Sequence, residues 1–87
     1  MKKNRFISKL IKISGKGGWT FAAVPDQFAP PVTHSWGRTP VHASVDGMEW
    51  ETSVWRDKKG KTWLPVPAKI RGSKGAGDEV EIILKSR

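Results

Sequence analysis

Residues 41–55, VHASVDGMEWETSVW, decide the fold of this 87-residue chain. Apolar and polar side chains alternate on both sides of Asp46-Gly47, a dipeptide typical of two-residue β-hairpin turns. Successive side chains of a strand point to opposite faces. On the first strand one face carries Val41, Ala43 and Val45. On the second strand one face carries Met48, Trp50, Thr52 and Val54, and the other face carries Glu49, Glu51, Ser53 and Trp55. The stretch therefore predicts an antiparallel hairpin with one buried face.

The segments after this hairpin continue the pattern of short strands and turns. Residues 57–60 turn the chain into a strand at 62–64, and Gly77-Asp78 leads into a last strand. Pro67 suits the first position of a short helix and Gly72 suits its end. In the last strand the alternating apolar residues are Val80, Ile82 and Leu84.

The N-terminal segment 6–13 is ambiguous by periodicity alone. Its apolar residues also fit the stripe of a membrane-surface helix. Three isoleucines in eight residues and the glycine-rich segment 14–18 favour a strand followed by a hairpin turn. A return strand is expected at 19–24, and the proline-containing segment 27–40 is the longest irregular stretch.

Six short strands in so short a chain predict closure into a barrel, which hides the strand edges. We expect one mainly β domain over residues 1–87, with residues 1–5 as a mobile basic tail. The fold is a small closed or partly open six-stranded β-barrel with one short helix before the last strand. The residues expected in its core include Val45, Trp50, Val54, Leu64, Val80, Ile82 and Leu84.

The charge is strongly basic and unevenly distributed. The formal net charge is +8, and segments 1–18 and 56–74 each carry an excess of six positive charges. Such clusters attract polyanions at long range or simply solvate the surface. The chain has no cysteine, no apolar run of signal-peptide length and no segment able to span a bilayer. We therefore expect a cytoplasmic protein without membrane contact.

No catalytic, metal or cofactor site is expected. His34 and His42 match no metal-ligand spacing, and there is no cysteine to complete a site. Glu49 and Glu51 share a strand face but are expected to face water. Segment 14–18 has the wrong order for a phosphate-binding loop. The sequence predicts a protein that is not an enzyme, and it leaves catalysis on a small molecule in the barrel mouth as a third hypothesis.

Five tryptophans are the compositional outlier. Trp50 is expected in the core, and Trp19 and Trp63 are expected to pack as well. Trp55 falls on the opposite face from Trp50, and Trp36 lies in the long loop. Two roles are open for these two tryptophans: an aromatic lid that closes the barrel end, or a surface on which a ligand stacks. The candidate binding surface consists of Trp36, Arg38, Trp55, Arg56, Lys69 and Arg71.

Four ordered motifs, at 36–47, 50–55, 64–71 and 77–80, resemble a bacterial and archaeal family of small β-barrel domains of unknown function. The similarity covers residues 6–84. Members of that family occur alone or fused to a YdeI/OmpD-associated, "bacteriocin-protection" domain. The resemblance implies the barrel fold and no established activity.

A second resemblance covers only the C-terminal third. Segments 64–71 and 77–80 are similar to the signature of swapped-hairpin transition-state regulators and MazE-type antitoxins, which are dimeric DNA binders. Here roughly sixty residues of additional strands precede the motif. We therefore expect a non-enzymatic binding or accessory module with a protein or small-ligand partner. The alternative is a nucleic-acid-binding regulator, and weak nonspecific nucleic-acid binding is compatible with either hypothesis.

Overall fold

The computed structural model describes residues 4–12, 19–31 and 37–86. Within these ranges the chain forms six strands, one 3-10 turn and one short α-helix. Their bounds are β1 Asn4–Lys12, β2 Thr20–Val24, the 3-10 turn Asp26–Phe28, β3 Arg38–Val45, β4 Met48–Arg56, β5 Thr62–Pro65, α1 Ala68–Arg71 and β6 Glu79–Ser86.

The six strands close into an antiparallel barrel in the order β1-β2-β5-β4-β3-β6, with β6 returning to pair with β1. The pairs β1–β2, β3–β4 and β4–β5 join strands that are consecutive in the chain, whereas β2–β5, β3–β6 and β1–β6 are long-range. In this ring β5 and β6 lie opposite each other. The prediction of a six-stranded barrel with one short helix before the last strand is confirmed, and the barrel is closed.

The β3–β4 turn has the geometry expected of Asp46-Gly47. Both residues have positive φ, 49° and 88°, as a type I′ turn requires. The Asp46 carboxylate accepts hydrogen bonds from the Glu81 backbone N–H at 2.8 Å and from Lys74 Nζ at 2.7 Å. These bonds, led by the one from Glu81, hold the pKa of Asp46 below its ordinary value. The side chain thus ties the turn to β6.

The core consists of the inward-facing residues of all six strands, together with Val66 and Ile70 next to and within α1. Of the predicted core residues, Val45, Val54, Leu64, Val80, Ile82 and Leu84 are buried. Trp50 is only half-buried, packed against the core from its edge. Met48, on the same face, is exposed, although Val45 directly opposite it is buried. The face assignment is therefore right, but on β4 only Val54 is fully buried.

The N-terminal segment is a strand. Phe6 and Leu10 are buried while Ile7 and Ile11 are exposed, a period of two that excludes the helical alternative for the described residues 4–12. β1 begins at Asn4, so residues 4 and 5, which were expected in a basic tail, belong to the barrel. Residues 1–3 and the expected turn at 14–18 lie outside the described residues.

The short helix α1 covers part of the core through Ile70, which is buried. Pro67 precedes its first residue as the N-cap, and Gly72 ends it with a φ of 61°. The Val66 backbone N–H donates to Thr20 O at 2.9 Å, so the connection from β5 to α1 stays attached to β2. No helix in the described part of the chain is both long and apolar enough to cross a membrane.

Candidate functional site

An aromatic groove with a volume of about 580 Å³ lies on the outer face of the barrel, across β2, β5 and β4. Such a volume is typical of small-ligand sites, which span about 300–1,000 Å³. We call this site the aromatic groove. Its lining residues are Trp19, Phe21, Trp55, Asp57, Trp63 and Pro65.

Strand register explains why these residues meet. Alternate residues of a strand face outward, and Phe21 of β2 is directly opposite Pro65 of β5. Trp63, two residues before Pro65, is opposite Ala23 on one side and Trp55 on the other. Because Ala23 has only a methyl group, it leaves open space beside the Trp63 indole. The groove therefore follows β5, with aromatic walls from its two neighbouring strands.

Two of the groove tryptophans are well exposed. The exposed fraction is 59% for Trp19 and 40% for Trp55. The Trp19 and Phe21 ring centroids are 6.4 Å apart with the planes tilted by 38°, so these rings form one wall. The expectation that Trp19 packs inside is wrong, because Trp19 has the same outward parity as Phe21. Trp63 is half-buried, and it too lies on the outer face.

Asp57 lies at one end of the groove, and both of its carboxylate oxygens accept hydrogen bonds. Its Oδ2 accepts the Trp63 indole N–H at 3.0 Å, and its Oδ1 accepts the backbone N–H groups of Lys59 and Lys61, each at 2.9 Å. These bonds, the one from Trp63 first, hold the pKa of Asp57 below its ordinary value. The carboxylate thus orients Trp63 and also holds the backbone of the turn between β4 and β5.

Positive charge surrounds this end of the groove. Arg38 is directly opposite Trp55 across the β3–β4 pair and shares its outward parity. Arg56, the next residue of β4, has the opposite parity and its Nε donates to the buried Thr62 hydroxyl, so it is not part of this cluster. The turn that contains Asp57 also carries Lys58, Lys59 and Lys61, all exposed.

The structure brings together some of the predicted binding residues and separates others. Trp55 and Arg38 lie at the Asp57 end of the groove, whereas Arg56 has the opposite parity and its Nε donates to Thr62 Oγ1 at 3.5 Å. Lys69 and Arg71 lie on α1, which leaves β5 from its opposite end. Trp36 lies outside the described residues.

Sequence reasoning missed Trp19, Phe21 and Trp63 as parts of the site. Their outward parity was readable within each strand: Trp19 and Phe21 are two residues apart, and Trp63 precedes the inward-facing Leu64. What was not readable is the pairing of β2 with β5, because the two strands are separated by about forty residues of chain.

A second, smaller cleft of about 160 Å³ lies on the outer face of β3, β4 and β6, beside His42 and Glu49. His42 Nε2 is 2.8 Å from Glu49 Oε1, and the hydrogen bond from this imidazole lowers the pKa of Glu49. Glu49 faces water, as expected. Among the described residues, no group of three or more His, Asp or Glu side chains is arranged to hold a metal ion.

Comparison with known proteins identifies the family. A family described as a domain of unknown function (DUF1905) matches residues 6–84, which is nearly the whole chain. No curated protein and no solved structure matches the chain. The fusion to a YdeI-type domain, which the sequence resemblance implied, stays a prediction. Because the match runs from β1 to β6 and includes every strand of the groove, the chain belongs to the DUF1905 family of domains.

Proposed function

We propose that this domain is a non-enzymatic binding module and that the aromatic groove is its ligand site. The observation that carries the proposal is the convergence of Trp19, Trp55 and Trp63 on one outer face of the barrel. Clustered exposed apolar surface of this kind is typical of interaction sites rather than of inert surface.

The chemistry of the groove favours a planar or apolar ligand. Indole rings offer wide flat faces, so a planar group gains dispersion and buried area when it stacks on them. Trp63 is held in place by its bond to Asp57, which reduces the conformational entropy lost on binding. A ligand group therefore meets a partly preorganised aromatic floor.

Asp57 supports a binding role over a catalytic one. Among the residues that the structure describes, it is the one titratable side chain in the lining of the groove. Its two oxygens already accept three hydrogen bonds, and its lowered pKa makes it a poor proton donor near neutral pH. We also keep the cytoplasm as the proposed location, on the grounds of the cysteine-free sequence.

The alternative, a regulator that inserts a helix into duplex DNA, has less physical support. α1 has four residues. At 1.5 Å per residue it is about 6 Å long, too short to follow the major groove as recognition helices do.

A nuclear magnetic resonance titration tests the proposal. The indole N–H signals of the five tryptophans are followed while adenosine, indole or a short proline-rich peptide is added. We expect at least one probe to shift the signals of Trp19, Trp55 and Trp63 and to leave that of Trp50 unchanged. Shifts confined to residues outside the groove, or no shift with any probe, would contradict the proposal.

The matched variants are Trp55→Ala and Ile7→Ala, each of which removes an exposed apolar side chain, from the groove and from β1 respectively. Trp55→Ala is expected to weaken binding of the probe, whereas Ile7→Ala is expected to leave it unchanged. Equal effects from both variants would also contradict the assignment of the site.

A further inference from the structure

We infer that the ligand of the aromatic groove is single-stranded nucleic acid, with bases stacked on Trp19 and Trp55 and phosphates paired with the cations at the Asp57 end. This inference rests on the proposed binding function and names its substrate class. Two features of the groove, its aromatic surface and its charge, support it independently.

The first feature is the spacing of aromatic surface along the groove. β5 from Thr62 to Pro65 has four residues, which at about 3.3 Å per residue gives roughly 13 Å. The Trp19–Phe21 wall stands on one side of this length, and Trp55 stands on the other. Sheet surfaces that bind single strands stack about two or three bases on aromatic side chains in a comparable way.

The second feature is the charge around the aromatic surface. Arg38 is directly opposite Trp55, and Lys58, Lys59 and Lys61 are exposed on the turn that carries Asp57. Asp57 is the one acidic side chain in the described part of the groove lining, and it accepts hydrogen bonds from the Trp63 indole and from two backbone N–H groups. An extended polyanion can therefore place its phosphates on this turn while its bases enter the groove.

This charge argues against the other occupants of an apolar groove. A second copy of a chain with a net charge of +8 would bring two lysine-rich turns into contact, and like charges placed together oppose association. A neutral proline-rich peptide would use the aromatic surface and leave the four cations, Arg38, Lys58, Lys59 and Lys61, without a role. A single strand of nucleic acid uses both.

Single strands fit better than duplexes for a steric reason. The faces of bases are covered by their neighbours within a duplex, so Trp55 cannot reach them. An unpaired strand exposes these faces. RNA and DNA share this chemistry, so both belong in the test, where the 2′-hydroxyl is the group that distinguishes them.

The main experiment compares polyanions that differ only in their bases. Fluorescein-labelled single-stranded DNA and RNA, an abasic strand of equal length and the corresponding duplex are titrated with the full chain, and anisotropy is recorded. We expect the base-containing strands to bind more tightly than both the abasic strand and the duplex. They should also quench tryptophan emission. Equal affinity for the abasic strand, or tighter binding of the duplex, would overturn the inference.

Trp55 provides the test of stacking. Trp55→Ala is expected to weaken binding of the single strands by about 5-fold to 150-fold, the range typical for loss of one stacked base. Its effect on the abasic strand should be slight, and Trp55→Phe should restore part of the affinity. Since Trp55 is exposed, thermal unfolding verifies that both variants are folded. Unchanged affinity in a folded Trp55→Ala variant would overturn the inference.

Two double variants with the same net charge test the position of the phosphates. Lys58→Gln/Lys59→Gln removes two charges beside the groove, and Arg5→Gln/Lys85→Gln removes two from β1 and β6, away from the groove. The negative slope of log affinity against log salt concentration should become shallower in the Lys58/Lys59 variant. The expected change is about 0.7 for each phosphate that this variant no longer neutralises. The second pair should leave the slope nearly unchanged. Equal reductions would mean that only net charge matters, and the inference would fail.

The outcomes also separate this inference from the proposed function. If a small planar probe or the proline-rich peptide shifts the groove indoles while single strands bind no better than the abasic strand, the groove is a binding site for another ligand. If nothing shifts the groove indoles, the proposed function itself fails. A dimer that buries Trp55, detected by sedimentation and disrupted by Trp55→Ala, would overturn the inference in favour of a second copy.

Discussion

The Trp63 indole nitrogen donates a hydrogen bond of 3.0 Å to the Asp57 carboxylate, which links the floor of the aromatic groove to the turn that carries its cations. Asp57 also accepts two backbone N–H groups of that turn. A single carboxylate therefore determines both the orientation of the central tryptophan and the course of the lysine-rich segment.

We expect Asp57→Asn to destabilise the protein at neutral pH. Asparagine has one acceptor oxygen, and its NH₂ group can only donate. The variant can therefore accept either the Trp63 N–H or the backbone N–H groups of the turn, and it loses the other hydrogen bonds. The folded pKa of Asp57 lies below the ordinary value of 3.8, so its stabilising effect is present above that value and is lost as the pH falls through the folded pKa. The melting temperatures of the variant and the wild type should therefore converge in acid.

Circular dichroism melts between neutral and acidic pH measure this difference. Asp26→Asn removes an exposed carboxylate from the 3-10 turn and serves as the control, with a smaller expected change at neutral pH. A difference between Asp57→Asn and wild type that stays constant down to low pH would show that the charge of Asp57 contributes nothing.

Gly37 is expected to tolerate no side chain. It has a φ of 71°, and a Cβ atom built on it would lie 2.5 Å from the Arg56 carbonyl oxygen. Gly60 has a similar φ of 85° but open space around it. Gly60→Ala should cost about 1–2 kcal/mol through backbone strain, and Gly37→Ala at least about 1 kcal/mol more. Urea unfolding measures both, and equal losses would mean that the β3–β4 backbones separate easily.

Leu64 and Ile82 should be among the most sensitive core positions, because both are fully buried and they lie on opposite strands of the ring. Truncation of either to alanine should lower the free energy of unfolding by about 2–5 kcal/mol. Ile7→Ala, at a position 59% exposed, should change it by less than about 0.5 kcal/mol. A loss below that level at both buried positions would reverse the assignment of the inner face.

Two substitutions of Asp46 should separate the contributions of backbone conformation and of charge to the free energy of unfolding. Asp46→Ala loses the bonds from Glu81 and Lys74 and places alanine at a φ of 49°, so we expect a loss of about 1–2 kcal/mol. Asp46→Asn keeps a residue that tolerates this φ and keeps an oxygen for Glu81. Its expected loss is about 0.2–1 kcal/mol, because the ion pair with Lys74 is partly exposed. Thermal or urea unfolding of both variants checks the order, which the opposite ranking would contradict.

The amino-acid sequence by itself determined the local elements of this protein. Alternation at Val41, Ala43 and Val45 indicated the inner face of β3, and Asp46-Gly47 predicted the turn that the structure shows. These signals are local, since a strand repeats every two residues and a type I′ turn needs two residues with positive φ. The same reasoning placed Trp55 on the face opposite Trp50 and next to Arg56 in the chain.

Only the tertiary structure decided which outer faces meet. Closure of the barrel inserts β5 between β2 and β4. As a result Trp63 lies between Ala23 and Trp55, and the Trp19–Phe21 wall lies beside these residues. No short-range pattern encodes the β2–β5 pairing, because it depends on how all six strands close around one core. The candidate site is therefore a property of the strand order, which follows from barrel closure.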